Sequence, residues 1–262
     1  RKHVYLGRNQ QAVQHTRGSV ARITSKSRAK TQRSSPTIWQ RIARLPRLAL
    51  RVVLGLTGVM LVWILLYGFL PVPTTVYMLQ ESYRLGGVER DWVPIEDISL
   101  DLQRSVVAAE DANYCLHWGF DMDAIRDAIE DGGTRGASTI SQQTAKNAFL
   151  WHGRNWTRKA LEALITPVME GIWSKRRILE VYLNIAEFDE GVFGAEAAAQ
   201  HYFGVSAAEL SPVQAARLAA VLPAPQDRSA ATPTPWLERR AASIRDGAET
   251  IRADGRDRCF AN

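Results

Sequence analysis

A mainly α-helical domain behind one N-terminal transmembrane helix is the fold class this sequence predicts. Three observations carry that reading. Val52 to Leu70 is 19 residues without a charge. From Thr74 onward, helix caps and apolar residues at helical spacing recur, while alternating β-type runs are few. No internal repeat of fixed period is present, which excludes a solenoid or propeller.

The basic arm comes first. Residues 1–47 hold 12 of the 33 Lys and Arg and none of the 27 Asp and Glu. Residues 48–262 hold 21 basic and 27 acidic side chains, so the formal charge of +6 hides a body of −6. A nucleic-acid-binding protein carries its basic surface on the folded domain, so no nucleic-acid partner is expected. The arm is rich in Ser and Thr and poor in large apolar residues, and disorder is the expectation there. The chain begins at Arg1 rather than Met, which leaves room for residues upstream. Cys115 and Cys259 are the two cysteines. They make no disulfide framework and no metal cluster, and their separation leaves a bridge or two free thiols equally open.

The anchor is next, with 48–70 as its expected bounds. As a helix, Val52 to Leu70 reaches about 28 Å at about 1.5 Å per residue, close to a hydrocarbon core of about 30 Å. It is too long for a signal-peptide core, and PVPTT after it is a poor cleavage site. Arg47 and Arg51 flank one end, while Pro71 and Pro73 stop the other. Because the nearby positive charge precedes the helix, the arm is expected in the cytoplasm and the body outside.

In the body, Ser99 can cap a helix through Leu102, Val106 and Val107 to Glu110. Asp121 can cap MDAIRDAIE, closed by Gly132 and Gly133. Thr139 and Gln142 form a capping-box pattern for TISQQTAKNAFL. Thr157 opens a long segment with Leu161, Leu164, Ile165, Val168 and Ile172 at helical spacing, and Pro167 should kink it. Lys175 to Phe188 continues with Ile178, Leu179, Tyr182 and Leu183 on one side. Ser211-Pro212-x-Gln214 combines an N-cap, Pro at the first helical position and a capping-box partner. A last amphipathic helix starts near Trp236. The reading divides the body into 71–235 and a C-terminal helix and tail, 236–262. Between two helices, GTRGAST (Gly133 to Thr139) reads as an active-site loop, or simply a helix connection.

Chemistry gathers at a few places. The run VVAAEDANYCLHWGFD leads an apolar helix into Glu110 and Asp111. At the C-terminal end of a helix, partial negative charge and an apolar lead-in both raise a carboxyl pKa, as a general base near neutral pH requires. The plain alternative has the two acids satisfying backbone groups or pairing with Arg104. Gln142, Gln143, Lys146 and Asn147 form one polar helix face, followed by Arg154, Arg158 and Lys159. Cations near a helix start and a Gly-rich loop suit phosphate or pyrophosphate. No GxxxxGK[ST] or GxGxxG occurs, so nucleotide binding is not supported. Glu162, four residues after Arg158, is either an ordinary helix pair or a second acid held ionised by cations. No metal-ligand spacing, nucleophile elbow or SxxK motif is present.

Taken together these residues resemble the glycosyltransferase domain of peptidoglycan synthases, glycosyltransferase family 51. EDANYCLHWG is similar to that family's EDxxFxxHxG, with Tyr114 where Phe is usual. GASTISQQTAKN follows GxSTIxQQxxKN, RKALE follows RKxxE and KRRILEVYLN follows KxxILExYLN. GVFGAEAAAQHYF matches GxxGxxxAxxxYF, and likeness continues through LSPVQAARLAAVLPAP, covering most of 90–235. Asp189 stands where many relatives have Gly, and Ala224 where Asn is frequent. Since no second catalytic domain follows in these residues, a monofunctional, membrane-anchored member is the expectation.

The resemblance implies a lysozyme-like helical fold with a small jaw lobe. It implies polymerisation of lipid II into glycan strands by inverting transfer from a polyprenyl-pyrophosphate donor to the 4-OH of an acceptor N-acetylglucosamine. By residue match Glu110 is the general base, Lys146 and Arg154 bind the pyrophosphate, and Glu162 assists at the donor side. Ser138, Gln142 and Gln143 line the cleft, with Asp111, Asn147, Arg158 and Lys159 as further contacts or supports. No cofactor is required, and a divalent cation (Mg or Mn) at the pyrophosphate is left open. Implied partners are lipid II, the growing strand, the bilayer, and cell-wall synthesis or division proteins. The implied site is the periplasmic face of a bacterial inner membrane. Two rivals stand beside this reading: a glycan-cleaving lysozyme-like or lytic enzyme, and a non-catalytic cell-wall scaffold. Cleavage has no pyrophosphate for the cations to bind, and a scaffold has no use for the intact acids.

Overall fold

The computed structural model describes residues 45–132, 136–153 and 155–261. Residues from Val53 onward form one compact unit. Nearly all of the predicted basic arm lies outside the described residues.

The apolar segment forms helix α1, Leu45–Tyr67. Within it Pro46–Tyr67, 22 residues, is long and apolar enough to cross a membrane, and almost all of it is exposed. It stops short of the predicted Leu70, and Gly68, just past its end, lies against an indole. A Cβ there would sit 3.0 Å from Trp173 Nε1. That Nε1 donates to the Ile64 carbonyl at 2.8 Å, and Arg177 donates to the carbonyls of Tyr67 and Leu70. Phe149 meets the rings of Trp63 and Tyr67 at 5.9 and 5.8 Å. The last turn of the apolar helix is thus tied to the body by named bonds.

Helix α2, Val76–Leu85, is capped by Thr75 and ends at Gly86, whose φ of +80° suits a residue without Cβ. Helix α3, Leu100–Glu110, starts at the predicted Ser99 cap and stops at Asp111, which leaves helical geometry. Helix α4, Met122–Glu130, has Asp121 accepting from two backbone amides. Helix α5, Ile140–Phe149, carries the full Thr139–Gln142 capping box. Helix α6, Trp156–Ile172, is capped by Asn155 rather than Thr157, whose hydroxyl donates to the Asn155 side chain. Pro167 sits inside it without ending it. Helix α7, Lys175–Ile185, is separate, capped by Ser174, and shorter than predicted.

Phe188 belongs instead to a small sheet of strands β1 (Glu89–Arg90), β2 (Glu187–Asp189) and β3 (Val192–Phe193), in the order β1-β3-β2. The β2–β3 hairpin is antiparallel with an irregular register between Glu187 and Asp189, and β1 joins β3 in parallel. Helix α8 is Ala195–Phe203, α9 is Pro212–Val221 and α10 is Pro235–Asp254.

Two packed groups make the core. Helices α3, α9 and α10 lie together, and α5 packs on α6 and α7. The C-terminal helix, which the sequence set apart from 71–235, therefore shares the core of the body: Leu237, Ala241, Ile244 and Ile251 are buried. A disulfide joins Cys115 to Cys259, which the sequence had left open, and ties the loop after α3 to the chain's end.

Candidate active site

The end of α3 and the polar face of α5 meet over Glu110. Gln143 Nε2 donates to Glu110 Oε2 at 2.8 Å, and the Tyr182 hydroxyl donates to Gln143 Oε1 at 3.2 Å. This three-residue chain fixes the carboxylate from α5 and α7. Burial is the largest influence on Glu110 and raises its pKa, and Asp111 adds to it. The Gln143 donor, Arg240 and Lys146 act the other way. Tyr182 is buried and its phenol is pushed far above the usual range by burial and by Glu110 and Asp111, so it stays a donor. Tyr182 had been read only as a core-facing residue. Nothing in its helical spacing separates it from Ile178 or Leu179.

Asp111, expected among substrate contacts, spends both oxygens on the protein. Oδ1 meets His117 Nε2 at 2.8 Å and Oδ2 accepts from the Ile140 amide at 3.0 Å. It pins the start of α5 to the end of α3. Gln142 likewise caps: its side chain accepts from the Thr139 amide and it is 5% exposed. Neither acid pairs with Arg104, which bridges to Asp257 at 2.9 Å. Asp111, His117 and Asp121 gather their donor atoms within 4.8 Å. Asp121 is spent on the amides of Asp123 and Ala124 and on Asn113. Both carboxylates thus accept from donors of the protein itself.

Glu162 is 2% exposed and receives Arg158 Nη1 at 2.8 Å and the Lys159 ammonium. Lys159 Nζ also donates to Ser138 Oγ at 3.2 Å, which links this cationic cluster to the loop before α5. Lys146 faces both acids. Burial chiefly lowers its pKa and Arg158 and Lys159 add to that, while Glu162 and Glu110 raise it. An anion arriving here would relieve this repulsion among cations. Arg154 lies outside the described residues.

Two cavities flank the Glu110–Gln143 bond. One, about 370 Å³, takes in Gln143, Lys146, Asn147 and Tyr182 with Tyr77, His152, Glu187 and Gln226. The other, about 240 Å³, is lined by Glu110, Asp111, Ser138 and Thr139 with Gly136 and Ala137. The described part of the Gly-rich loop, 136–139, thus lines the same cavity as Glu110. In the first cavity the Tyr77 and His152 rings stack at 3.6 Å, and Tyr77 donates to Glu187 at 2.6 Å. Burial, with Lys146 and Arg158 nearby, lowers the His152 pKa to about 4, so this imidazole is neutral at pH 7. Asn147 Oδ1 is buried there without a partner, and it is the kind of acceptor a sugar hydroxyl or amide would satisfy. The sequence missed Tyr77, Glu187 and Gln226, which come from three segments far apart in the chain.

A family model described as Transglycosylase matches residues 78–248. A biosynthetic peptidoglycan transglycosylase of Jannaschia sp. (strain CCS1) is 69% identical over 216 residues, covering 82% of this chain and 90% of that protein. The protein of the same description from Pseudomonas fluorescens (strain SBW25) is 52% identical over 202 residues, 73% of this chain and 84% of its own. That of Caulobacter vibrioides is 45% identical over 221 residues, 83% and 96% respectively.

Proposed function

The chain belongs to the transglycosylase family, and we propose that it polymerises lipid II into peptidoglycan glycan strands at the outer face of a bacterial inner membrane. The observation that carries this reading is the half-buried Glu110 carboxylate, held by Gln143 between two cavities, with Lys146 and the Arg158–Lys159–Glu162 cluster beside it.

The acceptor 4-OH is a weak nucleophile and needs its proton removed as the bond to the donor sugar forms. Glu110 is the base: burial raises its affinity for that proton, while Gln143 holds the carboxylate in place. The donor's leaving group is a polyprenyl pyrophosphate, already acidic, so it departs without a strong acid. Cations stabilise its growing charge, and Lys146, Arg154, Arg158 and Lys159 are the residues for this. Attack opposite the leaving group inverts the anomeric centre. Glu162 holds Arg158 and Lys159 in position and shares their charge until pyrophosphate arrives. A divalent cation fits poorly among the described residues on this side, since both Glu162 oxygens already accept from cations. The pyrophosphate is therefore assigned to the side-chain cations alone.

The apolar helix supports anchoring next to a lipid-linked substrate, and Arg47 and Arg51 at its start support an inside N-terminus. The Cys115–Cys259 disulfide suits an oxidising compartment for the body.

The test is polymerisation of labelled lipid II by the full chain in detergent or vesicles, wild type beside Glu110→Gln. Wild type is expected to give a ladder of polymer, and the variant to lose about 10²–10⁴-fold in rate. Shortening of a preformed glycan with no polymer made would replace this reading with the hydrolytic one.

A further inference from the structure

We propose that Arg240, on the C-terminal helix, is a positioning residue for Glu110, holding the end of α3 and keeping a cation beside the carboxylate when substrate occupies Lys146. The inference rests on Glu110 being the base.

The last carbonyls of α3 have no partner within the helix and carry partial negative charge. Left alone they would disfavour an ionised Glu110. The Asp111 amide answers one of them, Val107, at 2.9 Å. Arg240 Nη2 donates to another, the Ala109 carbonyl next to Glu110, at 3.2 Å. Farther on, Arg256 Nη1 donates to the Ala112 carbonyl at 2.9 Å. Two arginines of the C-terminal segment thus cover the point where α3 stops.

Their placement is fixed by the packing of α10 on α3. A Cβ on Gly247 would come within 3.3 Å of Ala108 Cβ, so the two helices lie close beside each other. The Arg104–Asp257 bridge and the Cys115–Cys259 disulfide hold the far end. Arg240 forms no salt bridge among the described residues, so its charge is not spent on another acid.

The groups facing Glu110 come from four elements: Asp111 at the end of its own helix, Gln143 and Lys146 on α5, Tyr182 on α7, and Arg240 on α10. Of the two cations, Lys146 lines a cavity and is assigned to pyrophosphate, so its help to Glu110 falls when the donor binds. Arg240 lines neither cavity beside Glu110. It touches no substrate, and its charge is constant through the cycle. It keeps the base from binding its proton so tightly that none is free to accept another.

Arg240→Gln keeps a donor and loses the charge, while Arg240→Lys keeps the charge and loses the guanidinium fork. Two readouts are taken on the full chain. One is the pH dependence of kcat for lipid II polymerisation. The other is the titration of the Glu110 carboxyl by carbon NMR, assigned by its absence in Glu110→Gln. For Arg240→Gln the acid limb and the carboxyl titration should both move up by roughly half a unit to one unit. Arg240→Lys should return both close to wild type. An unmoved Glu110 titration in Arg240→Gln, with lowered thermal stability alone, would reduce Arg240 to a structural cap. Should Arg240→Gln fail to fold, a displaced titration in the charge-keeping Arg240→Lys would also overturn the proposal. Absence of polymer from wild type would defeat the functional reading alone, since the NMR titration still reports on Arg240.

Discussion

Glu110 sits where a carboxylate is costly to ionise. Its native pKa is raised, chiefly by burial, above the unfolded value of about 4.3. As pH rises, the unfolded chain therefore loses this proton before the native state does. Native stability falls as pH climbs from the ordinary glutamate range through the raised value, and above it the whole cost is present. Glu110→Gln removes that cost while Gln143 still finds an oxygen to donate to. The variant should melt a few degrees above wild type near pH 8 and converge with it near pH 4, in thermal scans of the full chain in detergent. A lower melting point at both pH values would show that the charge is compensated in the native state. The reason to read Glu110 as functional was legible in the sequence: an acid ending an apolar helix. Asp111 and Gln142 look similar in sequence but are turned inward to hold α3 on α5, a distinction only their partners reveal. Tyr114, where the family resemblance led to an expectation of Phe, is fully buried, yet its hydroxyl donates to the Lys175 carbonyl at 2.7 Å.

Among the elements, the helix starts were the most legible parts, because a cap is a contact over three residues. Ser99, Asp121, Thr139 and Ser211 each accept the expected amide. At α6 the expected start at Thr157 is two residues late, and Asn155 takes the cap. The break between α6 and α7 was less visible, because apolar spacing runs on through Trp173 and only Ser174 marks it. The disulfide was not legible at all, since 144 residues separate cysteines that the packing of α10 on α3 brings together. Closing so long a loop limits the unfolded chain, and such bridges typically contribute about 2–4 kcal/mol. The double variant Cys115→Ser, Cys259→Ser should lose about that much in denaturant unfolding. Reducing agent should bring wild type down to the same level and leave the double variant unchanged. Because the bridge also registers α10 against the end of α3, polymerisation should weaken with it while the N-terminal apolar helix is untouched. An unaltered unfolding midpoint would mean that Arg104–Asp257 and the buried face of α10 suffice.

For the whole molecule, charge distribution and helix length speak to orientation, and both were readable from composition because they need no tertiary contact. What composition could not give was how the apolar helix meets the body. That depends on Trp173, Phe149 and Arg177 reaching Ile64, Tyr67 and Leu70. These bonds leave little slack between the apolar helix and the α6–α7 junction. If the apolar helix spans a bilayer, as proposed, these bonds would hold the catalytic cleft at a set height beside it. The cations preceding the helix should hold the arm inside, since moving 12 of them across a membrane is strongly unfavourable. Single thiols test this on the intact protein, because the two native cysteines are bonded to each other. Asp246→Cys on the exposed face of α10 should react with a membrane-impermeant maleimide on spheroplasts. Ser34→Cys in the arm should react only after detergent is added. The reverse pattern would put the body in the cytoplasm, away from an oxidising compartment and from a strand growing outside. Since the disulfide would not persist there, the same inverted protein should also show Cys115 and Cys259 as free thiols, so orientation and bridge stand or fall together.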